Sequence, residues 1–512
     1  MTELDAGWAW RAVVAATLVL AIAGCGGQRA PERSEGSALW VSDASRPLAA
    51  AELRALSRGG VRELFVEVGE LTWDGSRPAL GAFPWYEPPE RVLATLVVRG
   101  SWPAREIDGA DVAESLAPAI RPLLAQAPSH KLELSGVHLH LDLPREEAAH
   151  EALADALGKL RKEIGGRLAW SATLDVEAPG AERVARAADF FVVFAYGRPP
   201  AAADDARSWQ LTESERRTRL ATALDRPFLL GVVTLGWARV NDGEALTRTD
   251  LTQLAWDRRL EAGHGFTLEG ADRLTYRFVS QGRTYVGGQE LRRGDAVAVH
   301  TTSSAHVAAL LEALEGELGE GYRGVLFHRL GGLGEGLSLG PRALLHGLAR
   351  QEVPPGVEVR ILGGRRGGNR WVIEAVVRET AGEPTDLGVV DTNWVEVALP
   401  PGAHLDQVEP GNFYRYELLR RRADGSLERS LRRPEVVRFY APFLPAHGEL
   451  RSGPIQVVHR GDGLPTTVTA SFLAPYGREV VVGPEEIEPV PAAAMPQQGE
   501  DGEGEEEQEG QG

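Results

Sequence analysis

The chain is poor in cysteine, methionine and lysine. It has one cysteine and two methionines among 512 residues, and lysine occurs only at positions 131, 159 and 162. Because Cys25 has no second cysteine in the chain, an intrachain disulfide and a multi-thiolate metal site are excluded. The formal net charge of −18 opposes binding to a phosphodiester backbone, so we expect no nucleic-acid partner.

The N-terminal region carries a short apolar run that leads into the cysteine. Residues 12–23 are apolar except for Thr17, which is too short a run to span a bilayer comfortably. The sequence Ile22-Ala23-Gly24-Cys25 follows, and it resembles the bacterial lipobox, whose cysteine is lipidated and becomes the first residue of the mature protein. The resemblance implies a signal peptide over 1–25 and a membrane partner through a lipid anchor at Cys25. An uncleaved anchor and an ordinary signal peptide are the alternatives.

The lipobox also implies a location in the bacterial cell envelope. Gly26 follows the cysteine at the position where some bacteria read aspartate as an inner-membrane retention signal, so we favour the outer membrane. The chain is then expected to divide into a linker, a first domain with a β insertion near 270–300, a β domain and an acidic disordered tail, at 26–37, 38–351, 352–488 and 489–512. Seven acidic residues lie in the stretch Glu500–Gly512, which cannot bury apolar surface.

Strands alternate with amphipathic helical stretches through the first 350 residues. This alternation predicts a (β/α)8 TIM barrel of the α/β class. An open doubly wound sheet is the competing fold, but no glycine-rich phosphate loop follows the first strand. The eight predicted strands are Ala38–Ser42, Val61–Val68, Val92–Arg99, Leu132–Asp142, Arg167–Val176, Asp189–Tyr196, Phe228–Leu235 and Gly324–Leu330.

The pattern changes after Pro354 and Pro355, where short strands are separated by Gly, Pro and Asp turns. No long helical run interrupts them. We therefore predict an all-β sandwich domain of fibronectin or immunoglobulin type over 352–488. Its predicted strands are Val357–Leu362, Arg370–Arg378, Trp394–Ala398, Phe413–Leu419, Val436–Tyr440, Ile455–His459 and Thr467–Phe472.

The fourth predicted barrel strand carries three ionisable residues at period two. His138, His140 and Asp142 share one face, while Val137, Leu139 and Leu141 share the other. Polar side chains on the barrel side are costly to bury unless they are hydrogen bonded, paired or bound to a ligand. The segment is therefore the strongest candidate site in the sequence.

This strand resembles the G-x-D-x-D-x-E-x-P motif of chitinase-like family-eighteen glycoside hydrolases. His138 and His140 stand where the family has aspartates, and Asp142 stands where it has the glutamate that acts as general acid. Three other segments are similar to motifs of the family's third, sixth and seventh strands, namely 98–102, 194–197 and 230–236. The resemblance covers about 38–350. The whole layout also looks like a bacterial lipoprotein family with a chitinase-like barrel and a trailing β domain.

The resemblance implies roles for particular residues. Asp142 is the candidate proton donor and His140 the candidate orienting group, and Tyr196 matches a substrate-facing tyrosine of the family. Glu67, near the end of the second strand, is the remaining well-placed acid, although a salt bridge explains it equally well. The candidate substrate-binding residues are His138, Trp102, Trp237 and His328.

Three functions therefore remain open at this point. The first is a surface-tethered barrel that binds or processes envelope or extracellular glycans, with aromatic rings at the strand ends available to stack on sugars. The second is a non-catalytic envelope scaffold, because both family aspartates are replaced. The third is a zinc hydrolase using His138, His140 and Asp142, since three ligands at period two point one way. We expect no cofactor for the first two functions and a monomeric protein for all three.

Overall fold

The computed structural model describes most of the chain between residues 36 and 490. The described ranges are 36–42, 48–74, 77–103, 107–165, 167–195, 206–234, 237–241, 266–272, 275–286, 289–300, 302–330, 339–351, 355–385, 393–413, 415–441, 443–474 and 478–490. The chain divides into two compact units. The first contains the described residues within 1–252, 274–277 and 297–353, and the second those within 253–273, 278–296 and 354–512.

A closed barrel of eight parallel strands forms the first unit. The strands are β1 (Ser37–Val41), β2 (Val61–Asp74), β4 (Val92–Ser101), β5 (Leu132–Asp142), β6 (Ala169–Thr173), β7 (Phe190–Phe194), β8 (Phe228–Val233) and β15 (Tyr322–Leu330). Each strand pairs in parallel with its neighbour, and β1 closes the barrel by pairing with both β2 and β15. The predicted TIM barrel is confirmed, and all eight predicted strands are present.

The pleat of each strand separates two apolar layers. On β5, Val137, Leu139 and Leu141 pack in the large cluster that also includes helix residues, whereas His138 faces the barrel interior beside Phe65. The interior cluster contains Trp40 and Phe65, both fully buried. This is the alternation expected for a strand that is covered on one face by helices and on the other by the barrel core.

Helices follow the barrel strands and cover them. They are α1 (Ala50–Arg58), α2 (Gly109–Gln126), α3 (Glu147–Ile164), α4 (Ala181–Ala187), α5 (Ala206–Ala223), α6 (Ser304–Leu314) and α7 (Pro341–Leu348), with 3₁₀ turns at Ala127–His130 and Glu315–Glu317. The Asp108 side chain caps α2 by accepting a hydrogen bond of 2.7 Å from the Ala110 N–H. Among the described residues, no helix is long and apolar enough to cross a membrane.

Further strands interrupt the alternation of barrel strands and helices. β3 (Arg77–Ala82) folds back antiparallel on β2. Between β8 and β15 lie β9 (Trp237–Val240), β10 (Phe266–Asp272), β11 (Thr275–Ser280), β12 (Thr284–Val286), β13 (Gln289–Leu291) and β14 (Ala296–His300). β14 pairs antiparallel with β9, and β12 with β13. Most of these strands lie in or near 270–300, the region of the predicted β insertion.

The residues after 354 form two antiparallel sheets around one apolar core. One sheet contains β16 (Val357–Gly367), β17 (Arg370–Glu379), β19 (His404–Val408), β23 (Glu449–Arg451) and β24 (Ile455–Val458). The other contains β18 (Trp394–Ala398), β20 (Arg415–Arg421), β21 (Leu427–Arg429), β22 (Val436–Tyr440), β25 (Thr466–Ala474) and β26 (Arg478–Ile487). Ile373 of the first sheet and Phe439 of the second belong to the same core, which makes the domain a β-sandwich.

Candidate functional site

Polar side chains gather at the carboxyl ends of neighbouring barrel strands. We call Glu67 of β2, Arg99 of β4, and His140 and Asp142 of β5 the mouth cluster. In the parallel register, Arg99 lies opposite His140 and Ser101 lies opposite Asp142. The carboxyl ends of parallel strands meet at the same end of a barrel, which is where barrel enzymes bind their ligands.

Two hydroxyl groups hold the histidines of β5. His138 is fully buried, and its Nδ1 lies 2.9 Å from the Ser171 hydroxyl while its Nε2 lies 2.9 Å from the Thr173 hydroxyl. The same Thr173 hydroxyl lies 2.8 Å from His140 Nδ1. Since Thr173 has only one hydroxyl proton, it donates to at most one of the two histidines and accepts from at least one, so the tautomers of the two histidines are coupled. His140 Nε2 forms no hydrogen bond with any described residue.

His140 is uncharged at neutral pH. Burial lowers the pKa of His140 from 6.5 to about 4; the negative charge of Asp142 opposes this change and the positive charge of Arg99 adds to it. Desolvation therefore outweighs the attraction of the nearby carboxylate. A neutral imidazole beside an arginine and an exposed carboxylate offers a ligand hydrogen-bonding groups but neither a second negative charge nor a proton donor of the imidazolium kind.

The Glu67 carboxylate is bound by neighbouring side chains of the barrel. Its Oε1 accepts a 2.7 Å hydrogen bond from the indole N–H of Trp40, and its Oε2 lies 3.6 Å from Arg99 Nη1. Arg99 also lies 3.8 Å from Glu70, and its guanidinium stacks over the Phe83 ring at 4.8 Å. The Glu67 side chain is buried, whereas the Arg99 side chain is 41% exposed. The positive charge of Arg99 is therefore partly exposed to solvent, whereas the negative charge of Glu67 is not.

Aromatic rings form the floor beneath the mouth cluster. The Trp40 ring contacts His140 and His328 edge-on, with centroid separations of 5.0 and 4.9 Å. The Phe194 ring lies 4.6 Å from His328 and 5.7 Å from His140. The site is therefore a polar rim above a buried aromatic layer.

The predicted site residues separate into those at the mouth and those elsewhere. The Asp142 side chain is exposed at the end of β5, and His328 is half-buried on the aromatic floor. Trp102 is 4% exposed and packs edge-on against Trp73 at 5.5 Å, so its ring presents no open face for a sugar. The backbone N–H of Trp102 donates a 2.8 Å hydrogen bond to the backbone carbonyl of Asp142 and fixes the strand end.

Three predicted residues cannot be placed. Cys25 and Tyr196 lie outside the described residues, as does nearly all of the acidic tail. Trp237 begins β9, but its side chain falls outside the description.

The histidine and aspartate side chains of β5 do not form a metal site. Both ring nitrogens of His138 already bond to hydroxyl groups. Within the described ranges, no three His, Cys, Asp or Glu side chains are arranged to hold a metal ion. The zinc alternative based on His138, His140 and Asp142 therefore receives no support from the donor geometry.

Sequence reasoning missed Arg99, Trp40 and Thr173 as parts of the site. Arg99 lies in the segment 98–102 that resembles a family motif, but the resemblance predicts no role for its charge. Trp40 has a detectable signal, because it alternates with Leu39 and Val41 on the first strand and so must face the barrel interior. Thr173 has none, since its role depends on the register between β5 and β6.

Comparison with known proteins finds only distant similarity. No protein-family model matches the sequence, and no curated protein matches it. The chain is similar to the solved spore cortex-lytic enzyme SleL of Bacillus cereus, with 14% identity, TM-score 0.37 and coverage of 63% of this chain and 75% of that one. It is also similar to a chitinase from Bacteroides thetaiotaomicron, with 9% identity, TM-score 0.33 and coverage of 58% of this chain and 89% of that one. A tamarind chitinase-like lectin is similar with 10% identity, TM-score 0.30 and coverage of 62% of this chain and 100% of that one. Likeness at this level carries no argument about fold or activity.

Proposed function

We propose that the barrel mouth binds a glycan and that the protein works as a carbohydrate-recognition barrel. The observation that carries the proposal is the mouth cluster itself. An exposed carboxylate, a half-exposed guanidinium and a neutral imidazole with an unbonded Nε2 converge at the carboxyl ends of adjacent strands. Sugar hydroxyl groups both donate and accept hydrogen bonds. The carboxylate can accept from them and the guanidinium can donate to them.

Binding is favoured over hydrolysis. The family's substrate-assisted route uses a carboxylate next to the general acid, and here that position holds His140, which is neutral at physiological pH. Of the other carboxylates near the mouth, Glu67 is already engaged by Trp40 and Arg99, and Glu70 lies 3.8 Å from Arg99. The cluster therefore has hydrogen-bonding capacity without the paired acids that family-eighteen chemistry requires.

The proposal includes the tether. The lipobox-like sequence ending at Cys25 places a lipid anchor eleven residues before Gly36, where the described chain begins. A lipid-anchored barrel in the cell envelope would meet envelope and extracellular glycans without diffusing away. We favour the outer membrane because Gly26, rather than aspartate, follows the cysteine.

The test is a panel of envelope and storage polysaccharides, scored for binding and for newly released reducing ends. We expect binding to at least one glycan without release of reducing ends. Release that disappears in Asp142→Asn, in a protein that still folds, would establish an enzyme and overturn the non-catalytic part of the proposal. Failure to bind any glycan on a broad array would overturn the proposal itself.

A protein scaffold is the second candidate. It is favoured by the buried hydrogen-bonded state of His138, which suits a structural role better than ligand contact. A scaffold would retain its partners after Asp142→Asn, because its contacts would not depend on the mouth. Pull-down with wild-type and Asp142→Asn protein from the same envelope extract separates the two functions.

A further inference from the structure

Four arginines line a groove at the end of the barrel opposite the mouth. The groove has a volume of about 410 Å³ and lies between the second half of α1, the start of β2 and the start of β4. Its cationic lining consists of Arg54, Arg58, Arg62 and Arg91. They come from separate segments, so the sequence alone does not show them as a cluster.

These charges are only partly compensated. Arg54 pairs with Glu90 at 3.2 Å, and Arg58 Nε donates to the Arg54 carbonyl. Within the described part of the chain, Arg62 and Arg91 form no ion pair, and both side chains are exposed.

The other acid of the groove, Glu63, lies beneath it. Its side chain is buried and bonded to the hydroxyls of Thr95 and Ser135. The groove therefore presents an excess of positive charge in a chain whose net charge is −18.

The chain emerges from the barrel beside this groove. Gly36, the first described residue, precedes β1 and donates its N–H to the Arg323 carbonyl at the start of β15. A Cβ placed on Gly36 would lie 3.0 Å from Arg62 Cδ. Gly36 lies eleven positions after Cys25, and a chain of that length spans at most about 40 Å. An anchor at Cys25 would therefore lie within about 40 Å of Gly36, which itself lies beside Arg62.

We infer that the arginine groove docks on the phosphate groups of anionic phospholipid in the membrane that holds the lipid anchor, with the mouth directed away from the bilayer. This inference rests on the lipidation of Cys25 in the proposed function. An arginine next to an anionic lipid surface strengthens association by a factor of about five, and several act together. Docking fixes the orientation that a flexible tether alone leaves free.

The test uses full-length lipoprotein purified from membranes and inserted into phosphatidylcholine vesicles with or without phosphatidylglycerol. Ser57→Cys places a fluorophore in the groove, and Ala148→Cys places one at the start of α3, at the mouth end of the barrel. Both positions are exposed. Quenching by neutral acrylamide measures how far each label is shielded. We expect phosphatidylglycerol to shield the Ser57→Cys label at least about threefold, and to leave the Ala148→Cys label unchanged.

Two pairs of substitutions decide whether the groove causes the shielding. Arg62→Ala with Arg91→Ala should abolish it, and added salt should weaken it, because exposed charges are screened beyond about 10 Å at 0.1 M salt. Arg420→Ala with Arg421→Ala removes the same charge from exposed positions of β20 and should preserve it. Equal quenching of the Ser57→Cys label on both vesicle types, or shielding that survives Arg62→Ala with Arg91→Ala, would overturn the docking.

The tether is checked separately on the wild-type protein. Its intact mass should be that of a lipidated chain that begins at Cys25. A wild-type chain without lipid would remove the anchor, and with it the docking inference, whereas a lipidated wild type with no shielding at Ser57→Cys would reject the docking alone.

Discussion

At the scale of single residues, His140 decides the electrostatic character of the mouth. Its folded pKa of about 4 lies below the ordinary value of 6.5 because the imidazole is buried. As the pH falls from 6.5 towards 4, the unfolded chain gains a proton at this residue that the folded chain does not. The stability linked to His140 is therefore fully present above pH 6.5 and is lost as the pH falls through this window.

This linkage can be measured with His140→Gln, which keeps a polar side chain but does not titrate. The free energy of unfolding of the wild type should fall more steeply than that of the variant between pH 6.5 and 4, by up to about 3 kcal/mol. Urea unfolding at a series of pH values gives both curves. Parallel curves would mean that His140 titrates at its ordinary pKa.

Glu379 is a second residue whose role is readable atom by atom. Its buried carboxylate accepts backbone hydrogen bonds from Gly356 and Ala381 on Oε1, and from Gly382 and His447 on Oε2. Four donors converge on two oxygens, so the carboxylate fastens three separate segments of the β domain. An amide group cannot replace it, because its NH₂ would face N–H donors.

We therefore expect Glu379→Gln to destabilise the β domain by about 3 kcal/mol. The matched control is Glu486→Gln, an exposed carboxylate on β26 that should change stability by less than about 0.5 kcal/mol. Thermal or urea unfolding of the two variants makes the comparison. Equal stability of the variants would contradict the structural role of Glu379.

At the scale of elements, the position of β5 depends on a close approach to β6. A Cβ on Gly136 would lie 2.5 Å from the Ala169 carbonyl oxygen, so the two strands meet at this residue without room for a side chain. His138 and His140 follow on the same strand. The glycine therefore helps to set the register that brings both histidines to the hydroxyls of β6.

Gly136→Ala should destabilise the barrel by about 2 kcal/mol, because the new methyl group meets backbone that cannot yield cheaply. Gly158→Ala, in the middle of α3, is the opposite case: no heavy atom lies within 4 Å of the added Cβ, and alanine is the better helix former. That change should stabilise the protein by about 0.5–1 kcal/mol. If both substitutions changed the free energy of unfolding in the same direction, the contact between β5 and β6 at Gly136 would not be as close as described.

At the scale of the whole molecule, the barrel was predictable because its strands are buried runs separated by helical periods. Among the elements missed, β9, β13, β19, β21 and β23 have three to five residues, and the longer β3, β10, β26, α4 and α7 were missed as well. Apolar periodicity is weak over three to five residues, so such elements form only where a neighbour is already in place.

The candidate site was predictable where a single strand carries it. His138, His140 and Asp142 were found by period two, and Glu67 by its place near a strand end. The contributions of Arg99 and Thr173 depend on how neighbouring strands pair, and this pairing cannot be read from one amino-acid sequence. Trp102 shows the converse, since a residue at a strand end can turn into the core instead of towards the mouth.

Whether the barrel mouth binds a glycan is most directly tested by calorimetric titration of the best ligand from the polysaccharide panel into three proteins. These are the wild type, Asp142→Asn, and Glu133→Gln, which alters an exposed carboxylate near the other end of the same strand. Asp142→Asn should weaken binding by a factor of about ten or more, because a charged hydrogen-bonding partner is lost, while Glu133→Gln should bind as the wild type does. Equal affinity for all three proteins would place the glycan elsewhere and contradict the proposed function.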